Sequence, residues 1–89
     1  MFRLWAKQWK DNHLLSDYTY ERETDDTRTH MIMDGLLKAC VEFDLENPIW
    51  LNHNIKEFQR SGKTRFSKDS FIEDIMFDYL EIEVLEEDF

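Results

Sequence analysis

The residues best suited to chemistry lie in the stretch Phe71 to Phe89, FIEDIMFDYLEIEVLEEDF. Asp78, Glu81 and Glu83 are carboxylates close in sequence, the ligand type that holds a hard divalent cation, and a cation so held can activate water for hydrolysis. From Asp78 onward Leu80, Ile82 and Val84 alternate with Glu81 and Glu83. This is the period of two expected of a strand with one buried and one wet face. The alternation places Glu81 and Glu83 together and turns Asp78 to the other face, so the three acids do not converge.

Other reactive side chains are sparse. His13, His30 and His53 fall in a turn, a helix start and a loop. A zinc site needs about four converging ligands, and this spacing does not supply them. Cys40 lies between Ala39 and Val41 on an apolar helix face. A thiol nucleophile needs a base and an exposed, electropositive setting, so Cys40 reads as a small buried hydrophobe. No cofactor or metal is expected. A single cysteine forms no intramolecular disulfide, which with the absence of a leader-like or membrane-spanning apolar run points to a reducing, cytoplasmic setting.

Charge directs attention to binding. Residues 71–89 hold eight acids and no Lys or Arg, so this stretch carries −8 of the net −9. A sequence pI near 4.6 argues against direct contact with nucleic acid or anionic lipid, which both require positive surface. The acids suit a basic protein surface, with Glu81, Glu83, Glu86, Glu87 and Asp88 as the contact set. Carboxylates spaced along a strand could also stand where phosphates would, making a nucleic-acid mimic. The other roles for such a run are a solvated face, or pairing with the basic stretch Lys56 to Lys68. Trp5 and Trp9 share a strand face with Arg3 and Lys7 and are candidate anchors for a partner. If another element covers that face, they are core.

The elements that position these residues can be read in order. Eighty-nine residues make a single domain, 1–89, with one thin two-layer core. Phe2 to Trp9 and Leu14 to Arg22 both alternate and predict a β-hairpin. A three-residue loop, Asp11 to His13, sets Lys7 against Asp17, Arg3 against Glu21, Leu4 against Tyr20 and Ala6 against Tyr18. Each matched pair is worth about 0.2–1 kcal/mol. Ile32, Leu36, Ala39, Cys40 and Phe43 recur at three and four, predicting a long helix from about Asp26 to Asp44 with Asp25, Asp26 or Thr27 as its cap. Gly35 inside it implies a close helix–sheet contact. Pro48 ends the helix, Ile49 to Leu51 is a possible extra strand, and Ile55 to Arg60 reads as a short helix stopped by Gly62. Ser70 to Glu73 has the form of a capping box, predicting a helical turn up to Met76. The expected fold is an α+β two-layer sandwich. An N-terminal hairpin and a C-terminal strand, near the sheet centre, form an antiparallel sheet of about three strands on one long helix, with one or two short helices.

Two resemblances bear on these residues. Strands of metal-dependent nucleases carry an Asp, then an acid, any residue and a Lys; Glu81-Ile82-Glu83 is similar but has glutamate where the lysine belongs. The segments Met1–Lys7, Asp25–His30, Pro48–Leu51, Asp69–Glu73 and Phe77–Ile82 together resemble a group of small bacterial proteins with no assigned activity. That likeness implies a bacterial or mobile-element source and no mechanism; to phage anti-defence inhibitors the chain is similar in size and charge alone. The function expected is therefore a non-enzymatic interaction protein that binds a basic partner. The alternatives are a small metal-dependent hydrolase on Asp78, Glu81 and Glu83, and a homodimeric structural subunit.

Overall fold

Strands β1 (Phe2–Lys10) and β2 (His13–Arg22) form an antiparallel hairpin. Arg3 faces Glu21, Leu4 faces Tyr20, Ala6 faces Tyr18 and Lys7 faces Asp17, the register expected from matching charges and apolar side chains. The turn, however, is not a three-residue loop. Asp11 and Asn12 alone make it, at φ 51° and 64°, because two left-handed residues follow the twist of the strands. A bulge past Gln8 pairs Trp9 with Leu14 and leaves Leu15 over, which restores the charge-matched register.

The computed structural model describes residues 1–87 and completes an antiparallel sheet in the order β2-β1-β4-β3. Strand β4 (Tyr79–Glu87) lies in its interior, beside β1, and β3 (Lys63–Phe66) is the edge strand on β4. The sheet thus has four strands and not about three. β3 is short and strongly basic, so its apolar alternation rests on Thr64 and Phe66 alone. Ile49 to Leu51 is an irregular connection and forms no strand.

The helical layer is α1 (Arg28–Glu42) and α2 (Asn52–Ser61), of 15 and 10 residues, in place of a single long helix with short attachments. Thr27 caps α1, its hydroxyl accepting the His30 N–H at 3.2 Å. Asp44 in the left-handed region (φ 56°) ends it. Within α2, the fully buried Asn54 accepts the Leu51 N–H and donates to the Thr64 hydroxyl and the Arg65 carbonyl. One amide therefore caps α2 and ties it to β3. Gly62 closes α2 at φ 70°, as its position predicts. The helical turn expected over Ser70 to Met76 does not form. A single 3-10 turn, Lys68–Ser70, precedes it. Phe71 and Phe77 then both enter the core, rings 5.9 Å apart, and the chain between them is an irregular loop.

The core lies between one sheet face and both helices. Phe2, Leu4, Ala6, Tyr20, Phe66, Leu80 and Ile82 meet Met31, Ile32, Leu36, Ala39 and Cys40 of α1 and Phe58 of α2. Gly35 is the close contact: a Cβ there would lie 2.8 Å from both Leu4 Cδ2 and Tyr20 Cδ2. Gly35→Ala gains about 1 kcal/mol of helix propensity but overpacks the helix–sheet contact by about 1–3 kcal/mol. The expected outcome is a net loss of stability and a lower Tm in thermal unfolding, whereas a Tm at or above wild type would show that the contact yields.

Candidate functional site

The sheet face turned away from the helices carries the residues that the sequence singles out. Strand pairing sets Asp17, Lys7, Glu81 and Arg65 in one row across all four strands, with alternating sign. Neighbouring rows hold Trp5 against Glu83, and Arg3 between Glu21 and Glu86. Among the described residues no helix packs on this face, yet Lys7 is 6% and Glu81 2% exposed. Their own neighbours cover them.

Glu81 is the hub of this arrangement. Its Oε1 accepts from Lys7 Nζ at 3.0 Å and from Trp9 Nε1 at 3.3 Å, and its Oε2 accepts from Arg65 Nε at 2.9 Å. Lys7 Nζ also reaches Glu83 at 3.0 Å and sits 3.9 Å from the centre of the Trp5 ring. The Arg65 guanidinium lies 4.4 Å from the centre of the Tyr79 ring. Burial by itself would push the Glu81 carboxyl up, but the hydrogen bonds from Arg65 and Lys7 outweigh it and hold it below the ordinary range. Lys7 follows the same logic with opposite sign. Burial favours its neutral amine, and the bonds to Glu81 and Glu83 overcome this and raise it.

This geometry decides how the expected contact residues stand. Glu81 has no surface to offer a partner and no oxygen free for a cation. Asp78 is turned elsewhere, accepting the Asp11 N–H at 2.8 Å. Among the described residues no three His, Cys, Asp or Glu side chains are grouped to hold a metal. Trp5 and Trp9 are half-buried without a covering element: Trp5 donates to Asp17 at 2.8 Å, and Trp9 lies beside Tyr79. They wall the charge row. Glu86 faces Arg3 at 3.6 Å because a bulge at Leu85 shifts the pairing, turning Glu86 onto the outer face. Glu87 then falls opposite Phe2 and is met by Arg28 from the start of α1. Asp88 lies outside the described residues. Cys40 is buried, its thiol pushed up to about 11 by burial and by Glu73, so it is no nucleophile.

Exposed acids without an ion-pair partner among the described residues also include Asp11, Asp17, Glu23, Asp69 and Asp78, but one group gathers at the pole where α1 ends. Glu42, Asp44, Glu46 and Asp74 are exposed and have no ion-pair partner among the described residues. Glu73 joins them, accepting the Glu46 N–H at 3.0 Å. Three of these acids, Asp44, Glu73 and Asp74, line a cleft of about 310 Å³ between the end of α1, the segment before β4 and the bulged Leu15. Its walls include Leu15, Phe43, Leu45, Ile75 and Met76, its rim holds Asp44, Glu73 and Asp74, and no Lys or Arg lines it. Sequence reasoning missed this site because its parts are far apart in the chain. The available signal was Glu42, Asp44 and Glu46 following a helix with no base in its last turn.

The chain matches no protein-family model, no curated protein and no solved structure. Among the described residues no helix is long and apolar enough to cross a membrane.

The charge row predicts two measurable effects. Lys7→Met leaves the buried Glu81 with Arg65 as its only cation and should cost about 3 kcal/mol in denaturant unfolding, the low end for a broken buried pair. A loss under about 1 kcal/mol would mean that the row adds nothing. A carboxyl held low in the folded state gives stability that is present above its unfolded pKa, about 4.3. That stability is lost as pH falls through the lower folded value. Glu81→Gln should therefore flatten the acid limb of the stability–pH curve below about pH 4, and an unchanged slope would contradict the assignment.

Proposed function

We propose that this chain is a non-enzymatic interaction protein that binds a basic surface of a partner protein, and that it does so through the acidic pole and not through the acids of β4. One observation carries the reading. The C-terminal end of α1, already the negative end of the helix dipole, is surrounded by acids and has no base in its last turn. Acids there are unfavourable by about 0.3–1 kcal/mol each. A cationic partner removes that repulsion on binding, and the concentrated field speeds encounter. The acids of β4 differ, since Lys7, Arg65, Arg3 and Arg28 already neutralise them. This weighs against a phosphate-like row on β4 and against a cation site on Asp78, Glu81 and Glu83. A reducing, cytoplasmic setting fits the buried, unreactive Cys40.

The test couples stability to binding. Asp44→Asn combined with Asp74→Asn should raise the unfolding midpoint of the free protein. The same variant should lose a partner that wild type captures from lysate at low salt and releases at high salt. Glu83→Gln with Glu86→Gln should keep that partner. Loss in the β4 variant alone would return the site to β4. Capture indifferent to salt would remove the electrostatic basis. No partner, with the bait running as a dimer, would favour a self-associating structural subunit.

A further inference from the structure

We infer that the cleft at the end of α1 is a docking groove for an amphipathic basic segment, one whose apolar side chain enters against Phe43 and Met76 while its flanking Lys or Arg residues meet Asp44, Glu73 and Asp74. The inference rests on the function proposed above and adds the occupant. Size comes first. At about 310 Å³, the cleft stands at the lower limit of small-molecule pockets, about 300 Å³, and suits one or two side chains of a larger ligand. Its lining comes second. Met76 is 81% exposed and Leu15 53%, so apolar surface lies open inside a charged border. An apolar centre within a polar rim is the anatomy of a protein-binding patch, and methionine adapts to varied side chains.

Charge then selects the occupant. With acids as the only charged residues that line it, the cleft repels an acidic segment and offers a neutral one no charge pairing. A second copy of this chain is disfavoured by a net charge of −9. Extended or helical segments that alternate Leu or Phe with Lys or Arg match both the floor and the rim. Leu15 reaches the cleft only because the bulge leaves it outside the strand pairing. The irregularity that fixes the hairpin register therefore also supplies part of the wall.

The probe is a labelled helical peptide of Leu and Lys in amphipathic order, with a control of identical composition whose order scatters the leucines. Anisotropy titration should show the ordered peptide binding about tenfold more tightly than the control. Met76→Ser and Leu15→Ser should each weaken it by about tenfold, as for an interface anchor. Leu85→Ser, 47% exposed and at the far end of β4, should leave it unchanged, and circular dichroism should show all three variants folded. Equal binding of both peptides, or an intact affinity in Met76→Ser, would overturn the groove and leave the acidic interaction standing. No binding of either peptide would overturn both. A dimer in sedimentation that Met76→Ser dissolves would assign the cleft to a second copy and overturn the basic occupant.

Discussion

The structure depends on the placement of one buried carboxylate. Removing Glu81 from water costs several kcal/mol unless cations and hydrogen-bond donors meet it, and these come from two other strands: the Lys7 ammonium and the Trp9 N–H from β1, the Arg65 guanidinium from β3. A slip of one residue in either pairing would turn Glu81 toward the core or strip it of its cations. The register of three strands is thus tied to one side chain. This matters most for β3, whose four residues make a short ladder. Asn54 anchors that strand to α2 from the inner face, and Glu81 anchors it from the outer one.

The same ladder changes what the net charge means. The most acidic strand is also the best neutralised, since each of its described acids stands near or opposite a base. Of the exposed bases without an ion-pair partner among the described residues, Lys56, Arg60, Lys63 and Lys68 lie on or beside α2 and β3, and Lys10 lies at the end of β1. Part of the negative surplus gathers at the end of α1, where Glu42, Asp44, Glu46 and Asp74 have no ion-pair partner among the described residues. A count of acids along the sequence therefore locates charge density in the chain without locating the field around the molecule.

How much of this the sequence discloses depends on the range of the interaction. The hairpin register could be read because four matched pairs agreed on it. The turn could not, because a two-residue loop plus a bulge gives the same register as a three-residue loop. Thr27, the stop at Gly62 and the tight contact at Gly35 are local or steric features that leave a local mark. β3 was lost because Lys63-Thr64-Arg65-Phe66 shows little apolar periodicity. Its alternation of bases does complement the alternation of Glu81 and Glu83, a signal visible only once the two stretches are set side by side. Likewise Glu81 and Glu83 read as presented acids because the spacing of a strand says which face a side chain takes, and not what faces it. The cleft draws on Leu15, Phe43 and Met76, and no local pattern joins them.

The two helices make the strongest argument that the acidic pole is more than solvated surface. α2 ends as local energetics favour, with Arg60 in its last turn and Gly62 in the left-handed position. α1 ends against them: it has no base in its last turn, Asp44 takes the left-handed position, and Glu42, Glu46 and Asp74 stand exposed around it. The chain uses the favourable termination at one helix, so its absence at the other is not a limit of this sequence or fold. Departures from local preference that gather at one place, beside an open apolar cleft, are the pattern expected where a site gives up stability in the free state to gain it in a complex.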